Sequence, residues 1–141
     1  GDGPTPGTRV SDIRFTDAGG VTQRLLPFLR GGRHQVLLFD GGMASAEGYA
    51  NLVGIADAVR GKYGDRFRSH VIVPAAARPE ALAGWDHTLG SIMLDARGEL
   101  HRAFGARSEC LYLVRPDGYV GFRTQPASRD ALVAFLDRIF S

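Results

Sequence analysis

The segment that most constrains the fold lies near the C-terminus. There Cys110-Leu111-Tyr112-Leu113-Val114 leads through Arg115-Pro116-Asp117-Gly118 into Tyr119-Val120-Gly121-Phe122-Arg123. Proline at the second turn position pre-sets φ, aspartate suits the third and glycine the fourth, as a type I turn requires. The flanking runs, residues 111–114 and 119–122, are rich in β-branched and aromatic side chains, so this stretch predicts a hairpin. An amphipathic helix follows over residues 128–140. Leu132, Phe135, Leu136, Ile139 and Phe140 share one face, and Ser128 suits the N-cap.

Upstream, Gln35-Val36-Leu37-Leu38-Phe39 is a continuous apolar run bounded by turn signals, the pattern of a strand buried on both faces. Residues 45–63 predict a long helix, with Tyr49, Leu52, Val53, Ala56 and Val59 at helical spacing and Gly64 at its stop. A second strand is expected over 67–74, a brief one over 91–94 and a short helix over 98–104. The Ala-, Gly- and Pro-rich stretch 75–90 reads as a long connection with room for a short helix to cover the sheet. At the N-terminus, residues 10–15 predict a strand with Ile13 and Phe15 on one face. Residues 17–20 form a turn, and 23–29 one or two helical turns weakened by Pro27. This order implies an α/β architecture: a central mixed sheet with helices on both faces and an N-terminal strand extension, which is thioredoxin-like. Residues 1–8 read as a linker or lead-in and 9–141 as a single domain.

Composition narrows the function classes. Hydrophobic content of 44% and charged content of 23% are ordinary for a globular chain. No apolar run approaches the roughly 20 residues needed to cross a bilayer, so no membrane partner is expected. The first residues lack the basic and apolar regions of a signal peptide. A single cysteine rules out an internal disulfide and makes the cytoplasm the expected compartment. The net charge is +2, and every basic residue except Lys62 is arginine. The arginines are scattered without a block, so nucleic acid is not expected as a partner. Arg66 and Arg68 read as solvated edge residues.

In a redox-active domain of this shape the dithiol sits just after the first central strand, at a helix N-terminus that lowers the thiol pKa. Here that position reads Asp40-Gly41-Gly42-Met43-Ala44-Ser45 and holds no cysteine. Ser108-Glu109 and no proline stand directly before Cys110, whose apolar neighbours suggest a buried, unreactive thiol. Asp40, Gly41 and Gly42 form a candidate ligand turn, because paired glycines can present amides to an anion. Neither a GxGxxG nor a P-loop fits, however, and Asp40 would repel a phosphate, so a sharp strand-to-helix turn is the plainer reading. His34, His70, His87 and His101 are widely spaced and form no ligand pair; His70 reads as a half-buried strand residue. No catalytic, cofactor-binding or metal residue is assigned. The candidate interface or structural set is Arg115, Pro116, Asp117, Gly118, Tyr119, Phe122 and Arg123, since aromatics and arginine dominate interface cores. Arg115 and Arg123 can equally bridge to Asp117 or Asp137.

Three segments carry a family resemblance. They are Arg97-Gly98-Glu99-Leu100-His101-Arg102-Ala103-Phe104-Gly105-Ala106, the Leu113-Val114-Arg115-Pro116-Asp117-Gly118 hairpin, and the opening Pro6-Gly7-Thr8-Arg9-Val10. With Gly31-Gly32-Arg33-His34 before the buried strand, they make the chain similar to the C-terminal domain of FAD-dependent aromatic-ring hydroxylases, the phenol hydroxylase and polyketide monooxygenase family. The resemblance implies a thioredoxin-like domain without redox cysteines that serves structure or subunit contact. FAD and NAD(P)H would be bound by other domains of a full-length parent and not by this chain. The expected partners are therefore the FAD-binding and substrate domains of a hydroxylase, or a second copy. The alternative is a free-standing thioredoxin-fold binding protein using the turn at residues 40–45 and the Trp85 loop.

Overall fold

The computed structural model describes residues 3–41 and 46–140. The run at residues 35–39 belongs to β3 (His34–Phe39), the central strand of a five-stranded sheet. β3 lies between β4 (Phe67–Val73), which is parallel to it, and β6 (Cys110–Val114), which is antiparallel. β5 (Gly90–Leu94) extends the sheet beyond β4, and β7 (Val120–Thr124) beyond β6, giving the order β5-β4-β3-β6-β7. Parallel and antiparallel pairs make it a mixed sheet.

Two helices cover one face. α1 (Ala46–Tyr63) crosses from β3 to β4, and α3 (Arg129–Ile139) closes the chain, with Ser128 Oγ accepting from Ala131 N at 3.1 Å as its N-cap. Leu52, Ile55 and Val59 of α1 and Leu132 and Leu136 of α3 meet Val36, Leu38, Val71, Leu111 and Leu113 of the sheet. The other face is covered by α2 (Glu99–Ala103) and by an N-terminal ribbon of β1 (Arg14–Thr16) and β2 (Thr22–Arg24). Phe15, Leu25, Leu100 and Phe104 pack there on Leu37, Phe39, Ile72 and Tyr112. Helices on both faces and an N-terminal strand extension match the sequence expectation.

Several elements differ from it. Residues 22–24 form a strand, not a helix: Phe15 pairs with Gln23, and only Leu26–Leu29 turns as a 3-10 helix. The expected strand at 10–15 starts at Arg14, because Val10 N instead donates to Gly118 O at 2.9 Å. With Gly7 N on Val120 O and Val120 N on Thr8 O, both 2.8 Å, the lead-in runs along the β7 edge. The connection from β4 to β5 supplies only a 3-10 turn at Glu80–Leu82, since Pro79 and Gly84 bracket a segment with one core residue, Leu82. Arg66, just before β4, is exposed as expected, whereas Arg68 lies within β4, is half-buried and is not an edge residue. β4 lies inside the sheet, and the Arg66 guanidinium stacks 5.3 Å from the Tyr63 ring and 5.4 Å from that of Phe140.

Candidate functional site

The strand order reverses at β3, which feeds β4 on one side while β6 returns on the other. In open α/β sheets that switch point, at the strand's carboxyl end, is where ligands bind. Asp40 and Gly41 stand there; Gly42 and the rest of the turn, residues 43–45, lie outside the described residues. Asp40 is 1% exposed. Its N–H donates to Ile72 O, and its carbonyl accepts from His101 Nε2 at 2.6 Å. Burial pushes its carboxyl above the usual range, opposed by the nearby Tyr49 hydroxyl and the Gly41 amide. Among the described residues, Asp40 Oδ2 and Tyr49 Oη nevertheless have no hydrogen-bond partner of normal geometry, and burial with the adjacent carboxylate pushes the Tyr49 phenol well up. Gly41 is required by contact: a Cβ there would lie 2.9 Å from Ser108 Cα. Its own chain, not a ligand cradle, fills that space.

His101 ties α2 to this turn. Its Nδ1 lies 2.7 Å from Asp95 Oδ2, and its Nε2 donates to the Asp40 carbonyl, so both ring nitrogens are partnered. Asp95 also accepts from Leu100 N at 3.2 Å and His101 N at 3.0 Å. Burial raises the Asp95 pKa, but these bonds outweigh it and leave the carboxyl below its ordinary value. His101 is a functional-looking residue that its spacing in the sequence does not announce, because its partners lie six and 61 residues away.

The other titratable candidates lie within the packing. Cys110 sits opposite Phe39 in the sheet and is fully buried; burial pushes its thiol up against the opposing effect of Arg123. His70 is fully buried too, not half-buried: Nε2 bonds Gln35 Oε1 at 2.7 Å and Nδ1 bonds Ser91 Oγ at 2.6 Å. Burial pulls its pKa down to about 4. His34 packs between Phe67 and Phe140. Among the described residues no three His, Cys, Asp or Glu side chains gather as a metal site.

The hairpin turn forms as expected, with Gly118 N on Arg115 O at 2.9 Å and Gly118 at φ +86°, a conformation that favours glycine. The candidate interface set, however, does not converge on one patch. Arg115 pairs with Asp117 and lies 5.7 Å from the Tyr119 ring at the exposed tip with Pro116. Phe122 stacks on Phe135 at 4.6 Å on the α1–α3 face. Arg123 lies over Tyr112 at 5.3 Å on the opposite face and bonds Gln125. Alternation along β7 separates them. Asp137 is taken by Lys62 and Tyr63 rather than by a hairpin arginine.

The Trp85 loop lies in the connection between β4 and β5. Trp85 packs beside α1, its Nε1 donating to Asp57 Oδ1 at 3.2 Å, and borders a groove of about 510 Å³; Asp40 and Gly41, the described residues of the turn, do not line it.

No helix among the described residues is long and apolar enough to cross a membrane. The family model "Aromatic-ring hydroxylase, C-terminal" matches residues 3–141. No curated protein matches the chain. Solved structures share the fold at low identity. The thiol peroxidase of Chromobacterium violaceum has a TM-score of 0.67 at 16% identity, covering 100% of this chain and 91% of that one. Peroxiredoxin Q of Xanthomonas campestris scores 0.66 at 15%, covering 95% and 100%. The exposed lipoprotein thioredoxin Etrx1 of Streptococcus pneumoniae scores 0.60 at 19%, covering 91% and 99%. The fold is therefore thioredoxin-like.

Proposed function

Since the chain belongs to the C-terminal domain family of aromatic-ring hydroxylases, we propose that it is a redox-inactive module of such an enzyme, stabilising its domains or subunit contacts without catalysis of its own. The observation that carries this reading is the state of the one thiol. Cys110 is fully buried in a central strand pair and its pKa is raised, whereas a working redox cysteine is exposed and thiolate-prone. The sequence at the switch point, from Asp40 to Ser45, offers no second thiol.

The residues at that point also do not suit a dinucleotide. The close approach of Ser108 fills the space beside Gly41, and a buried carboxyl stands where a pyrophosphate would bring its charge. FAD and NAD(P)H belong, on this reading, to the other domains of the parent, and no step is assigned to residues here. The partners are those domains or a second copy of the chain, in the cytoplasm.

Two measurements test the reading. Under native conditions Cys110 should react with a thiol reagent only as fast as the chain opens. In the full-length parent, Cys110→Ser should leave hydroxylase turnover intact apart from stability losses. Rapid stoichiometric labelling, or a specific loss of turnover in a well-folded variant, would overturn it.

A further inference from the structure

Stacked cation–aromatic pairs recur over this arginine-rich surface. Arg66 lies over Tyr63 and Phe140, Arg115 over Tyr119, Arg123 over Tyr112 and Arg138 over Phe135, all between 5.3 and 5.7 Å from the ring centroids. Trp85 breaks the pattern. Indole is the best aromatic platform for a cation, yet among the described residues no arginine or lysine stacks on it. Its ring neighbour is His87, at 5.8 Å.

What surrounds Trp85 is carboxylate. Asp57 holds the indole Nε1 at 3.2 Å and so fixes the ring's tilt. Asp86, next in sequence, accepts from Thr88 N at 3.1 Å and pairs with Arg60 at 3.0 Å. Bonds from the Thr88 hydroxyl and amide, then from Arg60, pull the Asp86 pKa down to about 2, so the carboxylate is charged throughout the physiological range. The groove they rim, about 510 Å³, is otherwise walled by small or apolar residues: Ala50, Val53, Ala81, Ala83 and Gly84. Two carboxylates stand against the one guanidinium of Arg60, so the rim is net negative. A second depression sharing Asp57, Arg60, Trp85 and Asp86 has room for about 10 Å³, no more than a water. Ligand space lies on the groove side.

We infer that this groove takes an arginine side chain presented by another polypeptide, its guanidinium stacked on Trp85 and facing the Asp57 and Asp86 carboxylates. Arginine fits better than lysine because a planar, weakly hydrated guanidinium stacks on indole and meets carboxylate oxygens in the same pose. Its methylene stem would lie along the alanine and glycine wall. The inference goes beyond the hydroxylase reading and stands or falls without it.

Trp85 is the only tryptophan, so its fluorescence reports on the groove alone. The intact chain is titrated with acetyl-arginine amide and, in parallel, with acetyl-citrulline amide, which keeps the shape and loses the charge. The arginine probe should give a saturable change that weakens as KCl is raised, and citrulline should give none. The double variant Asp57→Asn, Asp86→Asn should bind the probe about fivefold or more weakly, because two charge contacts are removed. Asparagine retains an oxygen for Trp85 Nε1 and for Thr88 N, so the loop geometry is kept. A response that never saturates, equal saturation by citrulline, or unchanged affinity in the folded double variant would overturn the inference. Should circular dichroism show the double variant unfolded, the wild-type comparison of the two probes at low and high salt decides alone.

Discussion

The two faces of the sheet are built on different principles. Against α1 and α3 the contacts are wholly aliphatic at their centre: Val36, Leu38, Leu111 and Leu113 under Leu52, Ile55 and Leu136. That burial is strong but non-directional. The opposite face has its own apolar centre around Phe39, Phe104 and Tyr112, but it also buries Gln35, His70, Asp95 and His101. Such groups must find partners or cost free energy, so they fix geometry as well as contribute stability. One face holds the fold together, and the other sets how the N-terminal ribbon, α2 and the β3 turn lie on it.

The sharpest way to break this contrast is Asp95→Ala. It leaves the His101 ring buried without its carboxylate and should cost about 3–5 kcal/mol in urea unfolding; a loss below about 1 kcal/mol would mean the polar face is ornamental. On the aliphatic face, Leu52→Ala should cost about 2–5 kcal/mol through its cavity alone. It should do so without moving the His101 ring resonances, which Asp95→Ala must shift.

A pH series sharpens the comparison further. His70 has a folded pKa of about 4 against an ordinary 6.5, so between those values the unfolded chain binds more protons. Stability should therefore fall as pH drops from about 6.5 to about 4, by roughly 3 kcal/mol in all. His70→Gln should flatten that slope, and an unchanged slope would assign the loss to other groups. The smallest effect belongs to the switch point. Gly41→Ala drives a Cβ against Ser108 and should cost about 1–3 kcal/mol, read from the thermal midpoint.

What the sequence made legible follows the same division. The hairpin was readable because Pro116, Asp117 and Gly118 act locally, through φ and turn hydrogen bonding. α3 was readable because Leu132 and Leu136 repeat at helical spacing behind a serine cap. β2 was not, since Thr22-Gln23-Arg24 has no apolar alternation and becomes a strand only by pairing with β1. The crossover to β5 is harder to read, because its alanines favour helix while Pro79 and Gly84 limit it to one 3-10 turn. The candidate interface residues share one hairpin, yet alternation along β7 sends Phe122 to Phe135 on one face and Arg123 over Tyr112 on the other. The Asp95–His101–Asp40 connection had no local signal at all, because it closes through the folded sheet. Trp85 stood out by its chemistry, but its carboxylate neighbour Asp57 comes from α1, 28 residues earlier.

The claim on which the functional reading rests is that this domain works as part of a larger hydroxylase. The direct test is the size of the native polypeptide in its source cells, detected with an antibody against this domain. A band several times heavier than 15.2 kDa, carrying the flavin, is the expected result. A sole band at 15.2 kDa would contradict it and make the chain an independent protein.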